Sequence, residues 1–157
     1  MINLVASRRI SEILTTIPIP VAVAEYVYSV ELISMAPDLD NVILGGAIQI
    51  VPLAPGAEEV TAVNFSFHLD NGEAFTGAIA VHHIWAIGID DAKAIRCFQQ
   101  QAPHLQLITT PELISHWANV MNAPLELVRE VVRNVRENGR YKAPRKHALY
   151  DWWQRFM

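Results

Sequence analysis

Two pairs of carboxylates in this chain stand where acids can gather a cation. Asp90 and Asp91 are adjacent and close an uninterrupted apolar run at residues 84–89, Ile-Trp-Ala-Ile-Gly-Ile. Asp70 and Glu73 flank an Asp-Asn-Gly turn that leads into a run rich in alanine. Neighbouring carboxylates repel until water, a proton or a cation compensates them, and Lys93 is their near neighbour of opposite charge in sequence. Magnesium suits so small an oxygen-only set because it keeps several of its waters. A local role competes: an acid at a helix start is favoured by capping and by the helix dipole whatever its function, and Asp-Asn-Gly is a common turn. Placement lifts Asp90 and Asp91 above that role, since ligands of parallel sheets bind beyond the carboxyl ends of the strands.

The elements that would carry these acids can be read from periodicity. Residues 6–14 have helical spacing in Ile10, Ile13 and Leu14 and stop before Pro18. Residues 20–24, Pro-Val-Ala-Val-Ala, are of strand length and composition, and residues 25–34 suit a helix through Val27, Val30 and Leu32. After a loop rich in Pro, Asp and Gly, residues 47–53 read as a second strand and residues 57–69 as its helix. Residues 73–82 form a small-residue helix, and residues 84–89 are expected as a strand buried on both faces. A helix over 91–102, a strand over 105–108, and helices over 110–121, 124–139 and 146–157 complete the chain. Strands alternating with helices predict an α/β fold with a mainly parallel sheet. The chain is expected as a single domain spanning 1–157, with an α/β core over 1–110 and C-terminal helices over 111–157.

Two motifs then carry a resemblance. Residues 69–80, Leu-Asp-Asn-Gly-Glu-Ala-Phe-Thr-Gly-Ala-Ile-Ala, followed by 86–94, Ala-Ile-Gly-Ile-Asp-Asp-Ala-Lys-Ala, resemble the PIN-domain pattern Leu-Asp-x-Gly-Glu-Ala…Ala-Ile-Ala and then Thr-Asp-Asp-x-Lys-Ala. The resemblance implies a three-layer sandwich and a magnesium- or manganese-dependent ribonuclease site in which Glu73, Asp90 and Asp91 are catalytic and hold the metal. Glu31, rather than Glu25, is the match for a further acid on the helix after the second family strand. Ile89 replaces the family's usual threonine or serine, which removes a hydroxyl near the metal. Residues 1–9, Met-Ile-Asn-Leu-Val-Ala-Ser-Arg-Arg, are similar to the segment that directly follows the family's first strand and its aspartate, yet no aspartate precedes Asn3. The expectation is that Met1 is an internal methionine and that loss of this normally central strand opens a gap in the sheet and weakens the metal site. Residues 143–153 also resemble tails of bacterial PIN-like proteins.

Charge is unevenly distributed. Residues 1–128 hold 4 Lys/Arg against 13 Asp/Glu, whereas residues 129–157 hold 8 against 3, a separation that could divide a cation-binding surface from an anion-binding one. Arg129, Arg133, Arg136 and Arg140 recur at helical spacing and could follow a phosphate backbone, or could pair with Glu126, Glu130 and Glu137 on an ordinary solvated face. The six histidines lack the spacing of a zinc site, and the single Cys97 excludes an intramolecular disulfide. No Gly-x-Ser-x-Gly elbow or phosphate-binding Gly-rich loop occurs. No signal-peptide pattern and no apolar stretch of spanning length is present, which points to a cytoplasmic protein without a membrane partner.

The leading expectation is therefore a PIN-like endoribonuclease, the toxin half of a toxin–antitoxin pair, with RNA and an antitoxin protein as partners and a homodimer by analogy with the family. The runner-up is a non-catalytic PIN-like module that binds RNA or protein through its basic tail. A phosphoryl-accepting receiver domain would need a lysine after a later strand, and residues 108–111, Ile-Thr-Thr-Pro, supply none.

Overall fold

The computed structural model describes residues 1–157. In chain order the elements are α1 (Ile2–Ala6), α2 (Ile10–Thr15), β1 (Ala22–Ala24), a π-helical turn (Val27–Glu31), a short 3-10 turn (Ile33–Met35), α3 (Ala36–Leu44), β2 (Gln49–Val51), α4 (Ala57–Ser66), α5 (Asn71–His83), β3 (Ile87–Gly88), α6 (Ala92–Gln101), β4 (Leu107–Ile108), α7 (Thr110–Val120), α8 (Leu125–Asn138) and α9 (Tyr150–Gln154). The class is α/β, as the alternation of strand and helix predicts. Two compact units form: one is Ala22–Thr109, the other joins Met1–Val21 to Thr110–Met157. The first 21 residues, placed with the core by their order in the chain, thus fold with the C-terminal helices.

The unit Ala22–Thr109 contains two separate two-stranded sheets, both parallel. In one, Val23 pairs with Ile50; in the other, Ile87 pairs with Leu107. Helix α5 packs against both β1 and β3, and α4 runs along α5. The small side chains of α5 make this approach feasible. At Gly77 the approach is close, and a Cβ there would stand 2.4 Å from Phe98 Cε1 of α6. Phe98 in turn meets Phe65 edge-on, with centroids 5.2 Å apart, and these rings anchor a core with Ala74, Ala78, Ile87 and Leu105.

Three local departures from the periodic reading have identifiable causes. Residues 36–44 form α3 instead of a loop: Pro37 sits in its first turn with Asp38, and Leu39 and Val42 bury one face. The segment after β1 is helical but under-wound, with the Leu32 N–H donating to the Val27 carbonyl five residues back at 2.9 Å. The expected strand over 84–89 shrinks to Ile87–Gly88. Ile84 takes the left-handed conformation (φ 56°) that ends α5 and is 82% exposed, while Trp85 turns outward beside the His83 ring. That run is apolar, but its first three residues lie outside the sheet.

In the other unit, the helix expected over 6–14 starts only at Ile10, as α2, and a separate helix, α1, precedes it and ends at Ala6. The fully buried Ser7 donates its hydroxyl to Leu4 O and accepts the Arg9 N–H, and Arg8 takes φ 62°. The core is Trp117, Trp153 and the Val128, Val131, Val132 and Val135 face of α8. Helix α8 ends at Gly139, whose missing Cβ lets it approach Asn3 and Ala6 of α1. No helix is long and apolar enough to cross a membrane.

Candidate functional site

Helix α5 begins at Asp70, which adopts the extended backbone of an N-cap, and Glu73 follows in the first turn. The Glu73 carboxyl is raised above the ordinary carboxylate range, first by burial and then by the negative charge of Asp91. Asp70 adds a smaller repulsion, while a backbone hydrogen bond from Asp70 and the charge of Lys93 pull the other way. The fold therefore brings the two acidic turns into one electrostatic neighbourhood. Glu73 and Asp91 belong to different crossovers, separated by the rest of α5 and by β3.

Asp91 is the N-cap of α6. Its Oδ1 accepts the backbone N–H groups of Lys93 at 2.7 Å and Ala94 at 2.8 Å. This hydrogen bonding is the local role weighed from the sequence, and it coexists with the field Asp91 exerts on Glu73. Asp90 is partly buried and already has an interaction within the protein. Of the adjacent pair, Asp91 is the one that acts on Glu73.

Glu31 closes the π-helical turn and reaches the start of α5. A Cβ built on Gly72 would lie 2.0 Å from Glu31 Oε1, so the carboxylate rests against the helix backbone next to Glu73. A glycine is required there to admit it. The sequence shows Gly72 as a turn residue; its second task, giving room to an acid 41 positions upstream, is invisible without the fold.

The donors Glu31, Glu73 and Asp91 are all oxygen and fit magnesium or manganese in kind. No three His, Cys, Asp or Glu side chains are grouped closely enough to hold a metal ion. Cys97, buried beneath the site, is pushed up by burial and by Glu73, which marks it as a neutral packing residue.

A feature that spacing did not reveal adjoins these acids. A cavity of about 350 Å³ opens at the carboxyl ends of β1 and β2, lined by Glu25, Tyr26 and Ser29 past β1, Leu53 past β2, and Phe75 and Ile79 of α5. Tyr26 meets Phe75 edge-on at 4.9 Å and its hydroxyl accepts from Asn71 Nδ2 at 3.4 Å. The position after a strand's carboxyl end was the available signal.

In the unit that holds α8, Arg129, Arg133 and Arg136 line a shallow cavity of about 110 Å³ with Glu137, Phe156 and Met157. Arg129 pairs with Glu126, and Arg133 and Arg136 are exposed. Arg140 does not belong to this face: the helix has stopped two residues earlier, and Arg140 takes φ 55°. The helical stripe expected from the sequence therefore has three arginines, not four. No protein-family profile, curated protein or solved structure matches the chain.

Proposed function

We propose that this chain is a PIN-like, metal-dependent endoribonuclease. The observation that carries the reading is the coupling of Glu73 to Asp91: one acid is held above its ordinary range by burial and by the other's charge. A site of that kind gains from a cation. Glu73 and Asp91 would carry magnesium or manganese with retained waters in the remaining positions, and Glu31, which rests against Gly72, would be a third acid to draw in; the ion would supply a lowered water pKa and neutralise charge developing on the leaving oxygen. Lys93 tempers the repulsion meanwhile.

Two further features support the PIN-like assignment. Both sheets are parallel and both pack on α5, as the two flanks of a sheet with a central strand would, and a three-layer sandwich is the architecture proposed. Arg133 and Arg136 offer cations to an RNA backbone. The RNA target, an antitoxin partner and a homodimer belong to the same proposal.

A second reading has its own observation. Asp91 Oδ1 already accepts two backbone N–H groups, which favours a capping role and hence a non-catalytic PIN-like module that binds RNA through the arginine cavity. Incubating the chain with single-stranded RNA and manganese, with and without EDTA, separates them. EDTA-sensitive cleavage that disappears in Glu73→Gln supports the enzyme. Binding without cleavage, lost on charge removal at Arg133 and Arg136, supports the module.

A further inference from the structure

The cavity beside the acidic turns has the chemistry of a base-binding pocket. It lies at the carboxyl ends of two parallel strands, where such sheets take ligands, and its volume of about 350 Å³ is within the range of small-molecule sites. Its walls are a ring pair, Tyr26 and Phe75, with Leu53 and Ile79. Planar apolar walls of this kind hold unstacked nucleobases.

The polar groups narrow the choice. Glu25 is exposed and contributes a carboxylate, an acceptor only. Ser29 Oγ donates to the Glu25 backbone carbonyl at 2.8 Å, which leaves its lone pairs to accept. The Tyr26 hydroxyl accepts from Asn71 Nδ2, which leaves its own proton to donate. One donor and two carboxylate acceptors match the Watson–Crick edge of guanine, which presents O6 as acceptor and N1–H and N2–H as donors. Uracil offers a single donor on that edge, and a carboxylate faces two of its carbonyls unfavourably.

We propose that this cavity binds a guanine base, with Glu25 accepting from N1–H and N2–H, Tyr26 donating to O6, and Phe75 forming the wall. Asn71, Phe75 and Ile79 repeat every fourth residue along α5, and Glu73 stands in the same first turn as Asn71. The inference deepens the ribonuclease reading and rests on it for the source of the base.

The test is titration of the full chain with GMP, AMP, CMP and UMP, and with a short single-stranded RNA carrying one guanosine, followed by backbone amide NMR shifts. GMP is expected to bind about tenfold or more tighter than UMP, with shifts centred on residues 25–29 and 75–79. Glu25→Gln should remove most of the preference, and Phe75→Ala should weaken all four nucleotides. The guanosine-containing RNA should bind tighter than GMP; the reverse order would assign the pocket to a free nucleotide and overturn the RNA source. Equal binding of all four, shifts elsewhere, or a guanine preference that survives Glu25→Gln would overturn the pocket. The two proposals fail separately. EDTA-sensitive cleavage without guanine preference removes only the pocket, while guanine binding with no cleavage under either metal removes only the nuclease.

Discussion

The carboxylate of Glu31 occupies the space that a side chain at Gly72 would need: a Cβ there would stand 2.0 Å from Oε1 and 2.6 Å from Cδ. This packing ties the π-helical turn after β1 to the first turn of α5. It makes the glycine a condition for the acid's position. Without it, Glu31 has no reason to lie against the start of α5.

Gly72→Ala therefore separates position from stability. The obstructing atoms belong to the end of a flexible, exposed side chain, so Glu31 can swing away, and alanine is favoured over glycine in a helix by up to about 1 kcal/mol. The variant should unfold at the same or slightly higher urea concentration while losing manganese-dependent activity. A variant that keeps full activity would show that Glu31 takes no part.

Burial and Asp91 raise Glu73, so the folded chain holds this proton more tightly than the unfolded one. The associated stability is fully present below the unfolded carboxylate value and is lost as pH rises through the folded one. Glu73→Gln abolishes that loss. Urea midpoints compared from about pH 3 to about pH 7 should move in the variant's favour as pH rises, and a flat difference would contradict the coupling. Manganese should stabilise the parent alone, by about 2.7 kcal/mol at a hundredfold excess over Kd.

Asp91 has two tasks that two substitutions can divide. Asn is a good N-cap and can still accept from Lys93 and Ala94, whereas Ala cannot. Asp91→Ala should cost about 1 kcal/mol of stability, and Asp91→Asn much less. Both should return Glu73 toward the ordinary carboxylate range, read from its side-chain NMR titration. Equal stability of the two variants would exclude the cap.

For the arginine cavity, salt dependence is the readout. Arg133→Ala together with Arg136→Ala should weaken single-stranded RNA binding and reduce the slope of log K against log salt by about 0.7 for each phosphate that is no longer neutralised. Arg140→Ala should change the slope least, because Arg140 lies beyond the end of α8. A larger effect at Arg140 would place the RNA elsewhere.

Packing at Gly77 gives a prediction independent of function. An alanine Cβ would meet Phe98 at 2.4 Å and Phe65 at 3.3 Å. Both rings are nearly fully buried and have little room to yield. Overpacking of this sort costs about 1–3 kcal/mol, more than the helix propensity gained. Thermal unfolding should show Gly77→Ala less stable than the parent, in contrast to Gly72→Ala.

The sequence by itself determined the α/β alternation, the parallel pairing expected from long crossovers, and most helix positions, because apolar periodicity and caps are local signals. It also marked Glu73, Asp91 and the arginines of α8 as residues worth following. It misread residues 84–89, because an apolar run does not say which of its members a sheet will cover. It also missed α3, whose start signals, Pro37 and Asp38, lay within a stretch of loop-like composition. Only the tertiary structure decided that Glu31 rests on Gly72, that Asp91 rather than its neighbour acts on Glu73, and that Glu25 borders a cavity. Each of those is a meeting of residues far apart in the chain, and the packing of α5 against two strands, not any local propensity, sets the distances between them.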